Sequence, residues 1–271
     1  MCPGDPPGTA TTLRGVRSAT PQPLRLWSGS LTVSARPWPG QPGCAYLLIA
    51  GGRSPDTHLP GSDLVAGWWD ALRSAGYDHV RTGAVGPDIA GQLSTMGFAV
   101  CQDLVLLSAD LGHPGPTLDA SPHPLTVVRR GPGFRGKVAD LLAVDEIAFG
   151  PAWALDMDTF REAARATEKS RIWVSRSPNG TTAGFMLAGQ TGATGFIQRI
   201  AVAPVARRSG VAAGLLAAGH QWMRARGCAT AVVNTETTNQ PALAMYQRVG
   251  YARMPYGLQV LERSLKGVFP A

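Results

Sequence analysis

Residues 200–212 read Ile200-Ala201-Val202-Ala203-Pro204-Val205-Ala206-Arg207-Arg208-Ser209-Gly210-Val211-Ala212. The apolar run up to Ala203 predicts a strand. Beyond Gly210, the positions Val211, Leu215, Ala218 and Trp222 recur on one helical face. A strand that passes through a glycine-containing loop into a helix leaves the first amides of that helix unpaired, at the positive end of its dipole. An anion placed there gains several hydrogen bonds at once, and a pyrophosphate fits. Gly210 tolerates backbone angles that other residues resist, and the small Ala212 permits close approach to the first turn. Arg207 and Arg208 add guanidinium forks suited to phosphate oxygens. By itself the segment also allows a plainer reading, a turn that needs a glycine.

Outward from this loop the pattern is alternating. Gly227 closes the helix after Arg224 and Arg226, residues suited to its negative pole. A strand over 229–236, a helix over 240–249 stopped by Gly250, and a strand over 258–262 follow. Upstream, strands at 171–176 and 182–190 flank Asn179-Gly180, whose pairing predicts a tight hairpin turn with positive φ angles. Residues 125–128 form a short strand. Val138, Leu141, Leu142, Val144, Ile147 and Ala148 mark a helix, and Thr159 with Glu162 resembles a capping box opening a second one. The order is β-α-α-β-β-β-α-β-α-β, a mixed α/β unit over 125–271.

At 271 residues the chain exceeds one typical domain. Residues 1–23, dominated by Pro, Gly, Thr and Ser, predict a disordered tail with neither a secretory nor a membrane-anchoring pattern, and cytoplasmic residence is expected. Residues 111–124, rich in Pro and Gly, predict a linker. The four cysteines, Cys2, Cys44, Cys101 and Cys228, lack any C-x-x-C spacing, so no metal site is expected. A net charge of +7 raises the question of nucleic acid. The arginines are nevertheless spread over the tail, Arg129, Arg130, Arg135 and the loop around Arg207 instead of forming one stripe, so nucleic acid is not the expected partner.

The series helix, glycine, strand, helix, Gly-aromatic, strand occurs twice. Residues 63–74, 76–81, 89–96, Gly97-Phe98 and 104–107 repeat the ending of the chain, with Gly76 on Gly227, Gly97 on Gly250 and Phe98 on Tyr251. A tandem duplication is the reading, with residues 24–110 as the first unit. Where Tyr246 falls in the second unit the first has Leu93, and residues 54–62 offer no paired arginines.

Arg207-Arg208-Ser209-Gly210-Val211-Ala212 resembles the Arg/Gln-x-x-Gly-x-Gly/Ala signature of the GNAT superfamily of acyl-CoA-dependent N-acetyltransferases. Asn239-Gln240-Pro241-Ala242-Leu243-Ala244-Met245-Tyr246-Gln247-Arg248-Val249-Gly250-Tyr251 is similar to that family's second signature. Ala212 stands where many members have glycine. The resemblance implies a GNAT fold, two tandem GNAT-like units with the N-terminal one degenerate, and acetyl-CoA as co-substrate with an amine acceptor. It further implies that the backbone of Ile200, Ala201 and Val202 holds the pantetheine arm, that Asn239 caps its helix and contacts that arm, and that Tyr246 donates to the leaving sulfur. Residues 149–153 would shape the acceptor side.

An ammonium acceptor must lose a proton before attack. Glu236 is the candidate base, with Asn234 on the same strand face. The bacterial ribosomal-protein N-acetyltransferases, which this domain resembles, carry a glutamate at the position of Asn234. A protein N-terminus, a lysine and a small-molecule amine are all open as acceptors. The alternative function is a non-catalytic CoA-binding scaffold.

Overall fold

The computed structural model describes residues 24–28, 31–51, 59–113, 123–128 and 134–266. The expected tail, most of the expected linker, Cys2, Arg129, Arg130 and residues 54–58 of the segment without paired arginines lie outside these. The first half comprises β1 (Leu24–Ser28), β2 (Leu31–Trp38), β3 (Gln41–Gly51), α1 (Ser62–Ser74), β4 (His79–Thr82), α2 (Pro87–Thr95) and β5 (Ala99–Asp110). The second comprises β6 (Leu125–Val128), α3 (Phe134–Phe149), α4 (Met157–Arg165), β7 (Lys169–Arg176), β8 (Thr182–Thr191) and β9 (Thr194–Val202). It continues through a 3-10 turn (Pro204–Ala206) into α5 (Val211–Arg224), β10 (Thr230–Glu236), α6 (Gln240–Arg248), β11 (Ala252–Arg253) and β12 (Leu258–Ser264).

The duplication is visible in the helix ends. Gly76 and Gly227 adopt φ of +89° and +76°, and Gly97 and Gly250 adopt +81° and +91°. After α1, the Tyr77 N–H donates to Leu72 O as the Cys228 N–H donates to Met223 O after α5. The Phe98 N–H donates to Leu93 O as the Tyr251 N–H donates to Tyr246 O. These are the same left-handed caps built twice, and glycine supplies them without a Cβ penalty.

Two local expectations change. The box at the second helix starts three residues earlier: Asp156 accepts from the Thr159 N–H at 2.7 Å, while the Thr159 hydroxyl accepts from the Asp156 N–H at 2.8 Å. In the β7–β8 turn only Gly180 takes a positive φ, +82°, and Asn179 instead accepts from the Thr181 N–H and hydroxyl.

All strands join one 12-stranded sheet in the order β1-β2-β3-β4-β12-β5-β10-β9-β8-β7-β6, with β11 pairing to β5 off this path. The terminal strands of the two halves are therefore interleaved. β5 of the first half pairs antiparallel with β10 from Asp110↔Thr230 to Leu104↔Glu236, and β12 of the second half pairs with β4 through Glu262↔Arg81. The cores follow the pairing. Leu261 and Leu265, from the end of the chain, are buried with Leu47, Trp69, Leu72 and Val80 of the first half. Val105, Leu107 and Ala109 of β5 are buried with Leu215, Val233 and Leu243 of the second. α1, α2, α5 and α6 thus cover one sheet face, while α3 and α4 pack on the other through Val138, Leu141, Phe160, Phe185 and Leu187.

Removing a fully buried leucine side chain costs about 2–5 kcal/mol. Leu261→Ala is therefore expected to lower global unfolding free energy by about that amount in urea denaturation. The loss is expected to appear as faster hydrogen exchange in α1 and α2, which are remote from Leu261 along the sequence but in the same core.

Candidate functional site

β9 and β10 run parallel but pair over only three positions, Thr194↔Thr230 to Phe196↔Val232. β9 continues to Val202 and β10 to Glu236 beyond the last pair, so the strands diverge and leave a gap. On its other edge β9 stays paired with β8. The Ala203 N–H donates to Ala183 O at 2.9 Å, so alternation along the strand turns the amides and carbonyls of Ala203, Ala201 and Arg199 toward β8. Those of Ile200 and Val202 face the gap. Their side chains meanwhile pack against the core shared by α5 and α6. Of the three backbone positions expected to contact the cofactor, Ile200 and Val202 open onto the gap and Ala201 pairs with β8.

The loop after β9 ends at a helix start of the expected kind. Gly210 caps α5 with φ +86°, and Arg208 also takes a left-handed φ of +65°. Two left-handed residues within three positions fold the backbone into a concave turn. The first turn of α5 closes with the Gly214 N–H donating to Gly210 O, so the amides of Val211, Ala212 and Ala213 have no intrahelical acceptor. The Ser209 hydroxyl donates to Ala206 O at 2.7 Å, which fixes the turn. The guanidiniums of Arg207 and Arg208 are exposed and have no partner among the described residues. Val211 is buried and anchors the helix start in the core.

On the far side of the gap, Asn239 caps α6, its Oδ1 accepting from the Ala242 N–H at 3.2 Å. Tyr246 is 2% exposed, sharing a core with Val211 and Val233, against which Ile200 and Val202 pack. Its hydroxyl has no hydrogen-bond partner among the described residues, and burial pushes the phenol well above its ordinary value. The ring lies edge-on to Tyr251 at 5.3 Å. Tyr251 in turn meets His220 Nε2 through its hydroxyl at 2.8 Å. His220 is buried, and desolvation, aided by the Arg224 charge, lowers its pKa to about 4.

Asn234 and Glu236 are exposed on the opposite sheet face from Val233. Glu236 Oε1 accepts from Gln102 Nε2 at 2.5 Å, a contact that exists because β5 of the first half lies beside β10.

The α3–α4 connection, residues 150–156, which takes in most of the expected acceptor-side segment 149–153, is tied down by a pair that the sequence alone does not single out. Asp145 of α3 is fully buried and holds Arg199 of β9 through two contacts, 2.6 and 2.8 Å. Asp145 also accepts from the Leu155 N–H, and Arg199 donates to Trp153 O, both at 2.8 Å. Desolvation is costly for such a pair, and these extra hydrogen bonds satisfy it. The available signal was an acid placed inside the apolar stripe Val138-Leu141-Val144 of one helix.

Ahead of α1, Leu59 is buried and its N–H donates to Gln92 Oε1 of α2 at 2.7 Å. Leu93, which matches Tyr246, is fully buried.

The acetyltransferase (GNAT) family model matches residues 138–251, from α3 to the residue before β11. Residues 138–251 are a GNAT acetyltransferase domain. Solved structures similar to this chain include a GCN5-related N-acetyltransferase from Sphaerobacter thermophilus, 16% identical, with a TM-score of 0.59 over 89% of this chain and 79% of that one. A tandem GNAT protein from the clavulanic acid biosynthesis pathway is 12% identical, with a TM-score of 0.62 over 89% and 80%. A GCN5-related N-acetyltransferase from Kribbella flavida is 15% identical, with a TM-score of 0.55 over 89% of each chain. At these identities the likeness is one of fold, and it spans both units. No curated protein matches the chain in sequence. Among the described residues no cluster of three or more His, Cys, Asp or Glu is arranged to hold a metal, and no helix is long and apolar enough to cross a membrane.

The His220 environment gives a pH dependence. Its folded pKa of about 4 lies below the ordinary 6.5, so below pH 6.5 the unfolded chain takes up a proton that the folded one refuses. Stability is therefore expected to fall by about 3 kcal/mol as pH drops from 6.5 to 4. Chemical denaturation of the parent and of His220→Gln across this range checks it, the variant showing a flatter profile.

Proposed function

We propose that this chain transfers the acetyl group of acetyl-CoA to an amine by direct attack within a ternary complex. The observation that carries the reading is the conjunction at the β9–β10 gap. Free amides of α5 and the guanidiniums of Arg207 and Arg208, without a partner among the described residues, stand at one end, and the gap-facing backbone of Ile200 and Val202 continues from it. The pyrophosphate would take the amides of the turn formed by Ser209, Gly210, Val211 and Ala212, where a helix dipole and two guanidiniums favour negative charge. The pantetheine arm would pair with the β9 edge as a strand would, with Asn239 adding a contact from the opposite wall.

In the reaction the amine lone pair attacks the thioester carbonyl carbon, and an N–H of the β9 edge stabilises the charge developing on its oxygen. The C–S bond then breaks and its electron pair goes to sulfur. Tyr246, held protonated by burial, donates a hydrogen bond to that sulfur as it gains charge. Glu236, through water, accepts the proton the amine must lose, and Asn234 orients that water on the same face.

Among the described residues the cysteines are poorly suited to an acyl-cysteine route. Desolvation raises the pKa of the Cys44, Cys101 and Cys228 thiols, which keeps them protonated and weakly nucleophilic at neutral pH.

The test is a thiol-release assay with acetyl-CoA and a panel of amines and peptides. Tyr246→Phe is expected to lower kcat about 100-fold, the usual effect of losing one donor to a developing anion, and to leave the Kd for acetyl-CoA within about twofold. Undiminished kcat in that variant would remove Tyr246 from the reaction, whereas saturable acetyl-CoA binding by the parent with no thiol release from any amine would favour a non-catalytic CoA-binding scaffold.

A further inference from the structure

The connection between α3 and α4 is gripped from two sides, and only one belongs to its own unit. From β9, Arg199 holds the Trp153 carbonyl while Asp145 holds Arg199. From the first half, the Trp38 Nε1–H donates to Ala152 O at 2.9 Å, and the Trp38 ring meets the Trp153 ring edge-on at 5.4 Å. The Arg81 guanidinium lies 4.9 Å from the Trp38 ring centre and 5.4 Å from that of Trp153. Glu262 orients it through two hydrogen bonds, 3.1 and 2.7 Å. Arg36, stacked on Tyr46, pairs with Glu162 of α4 at 2.5 Å. Glu262 reaches Arg81 because β12 is inserted beside β4. The grip therefore depends on the interleaved strands.

We propose that the first unit is the positioning element of the acceptor side: through Trp38, Arg81 and Arg36 it fixes the 150–156 connection and so selects which amine is admitted. The inference rests on the acetyl-transfer reading for the word amine, and on the geometry alone for the grip. Two consecutive carbonyls of the connection, those of Ala152 and Trp153, are bound by donors from opposite units. Arg199 neighbours Ile200, whose backbone faces the gap, so a shift of the connection is felt at the position where the thioester would lie. Trp38, Arg81 and Arg36 act through the connection and are positioning residues.

The decisive variant is Trp38→Phe in the full chain, which keeps an aromatic ring and removes the N–H donor. Loss of one neutral hydrogen bond predicts about tenfold faster hydrogen exchange at residues 151–155, with α5 unchanged. In the thiol-release assay the kcat/KM ratio between favoured and disfavoured amines is expected to shrink about tenfold, with KM for acetyl-CoA within about twofold. Arg36→Gln should act in the same direction and Arg36→Lys, which retains the charge opposite Glu162, should restore most of the parent ratio. Unchanged exchange at 151–155 overturns the grip, and faster exchange with an unchanged amine ranking overturns the selection. Absence of thiol release from the parent with every amine is a failure of the acetyl-transfer reading. The exchange comparison then still decides the grip.

Discussion

The divergence of β9 from β10 after Phe196 and Val232 is the constraint on which the site depends. A parallel pair that continued to the strand ends would satisfy the amides and carbonyls of Ile200 and Val202 within the sheet. Because it stops, those groups stand ready for a ligand, and the turn at Arg208 and Gly210 brings the start of α5 to the same opening. The buried polar groups of a stable sheet need partners. An edge left open inside a 12-stranded sheet is therefore a place where a ligand can supply them.

The interleaving of β5 and β12 explains how two units of unequal equipment remain one molecule. Each contributes its last strand to the neighbourhood of the other, and with it core residues, Leu261 in one direction and Leu107 in the other. The first unit has Leu93 in place of the tyrosine and a lead-in to α1 fastened by Gln92. Its open sheet face instead presents Arg36, Trp38, Tyr46 and Arg81 to the second unit.

The elements of the second unit were legible because their signals are local: apolar periodicity, a glycine after α3, α5 and α6, and a strand leading into Arg207 to Gly210. The duplication was legible for the same reason, since the Gly76/Gly227 and Gly97/Gly250 caps repeat the same backbone requirement. The strand exchange was not. The β5–β10 pairing joins Leu106 to Asn234, and no local pattern distinguishes this partner from another antiparallel strand. The Asp145–Arg199 pair and the Trp38–Ala152 hydrogen bond were hidden for the same reason, since each depends on how layers meet. The cap at Asp156 was displaced from Thr159 because either residue has the side-chain chemistry and only the helix start decides between them.

The most direct test of the account is calorimetric titration of the full chain with acetyl-CoA. One molecule bound per chain is predicted, with affinity falling as salt is added and falling about tenfold or more when Arg207 and Arg208 are both replaced by Gln, as expected for charge-assisted contacts to phosphate. Two equivalent sites, or no saturable heat at all, would contradict the claim that a single opening beside α5 receives the cofactor.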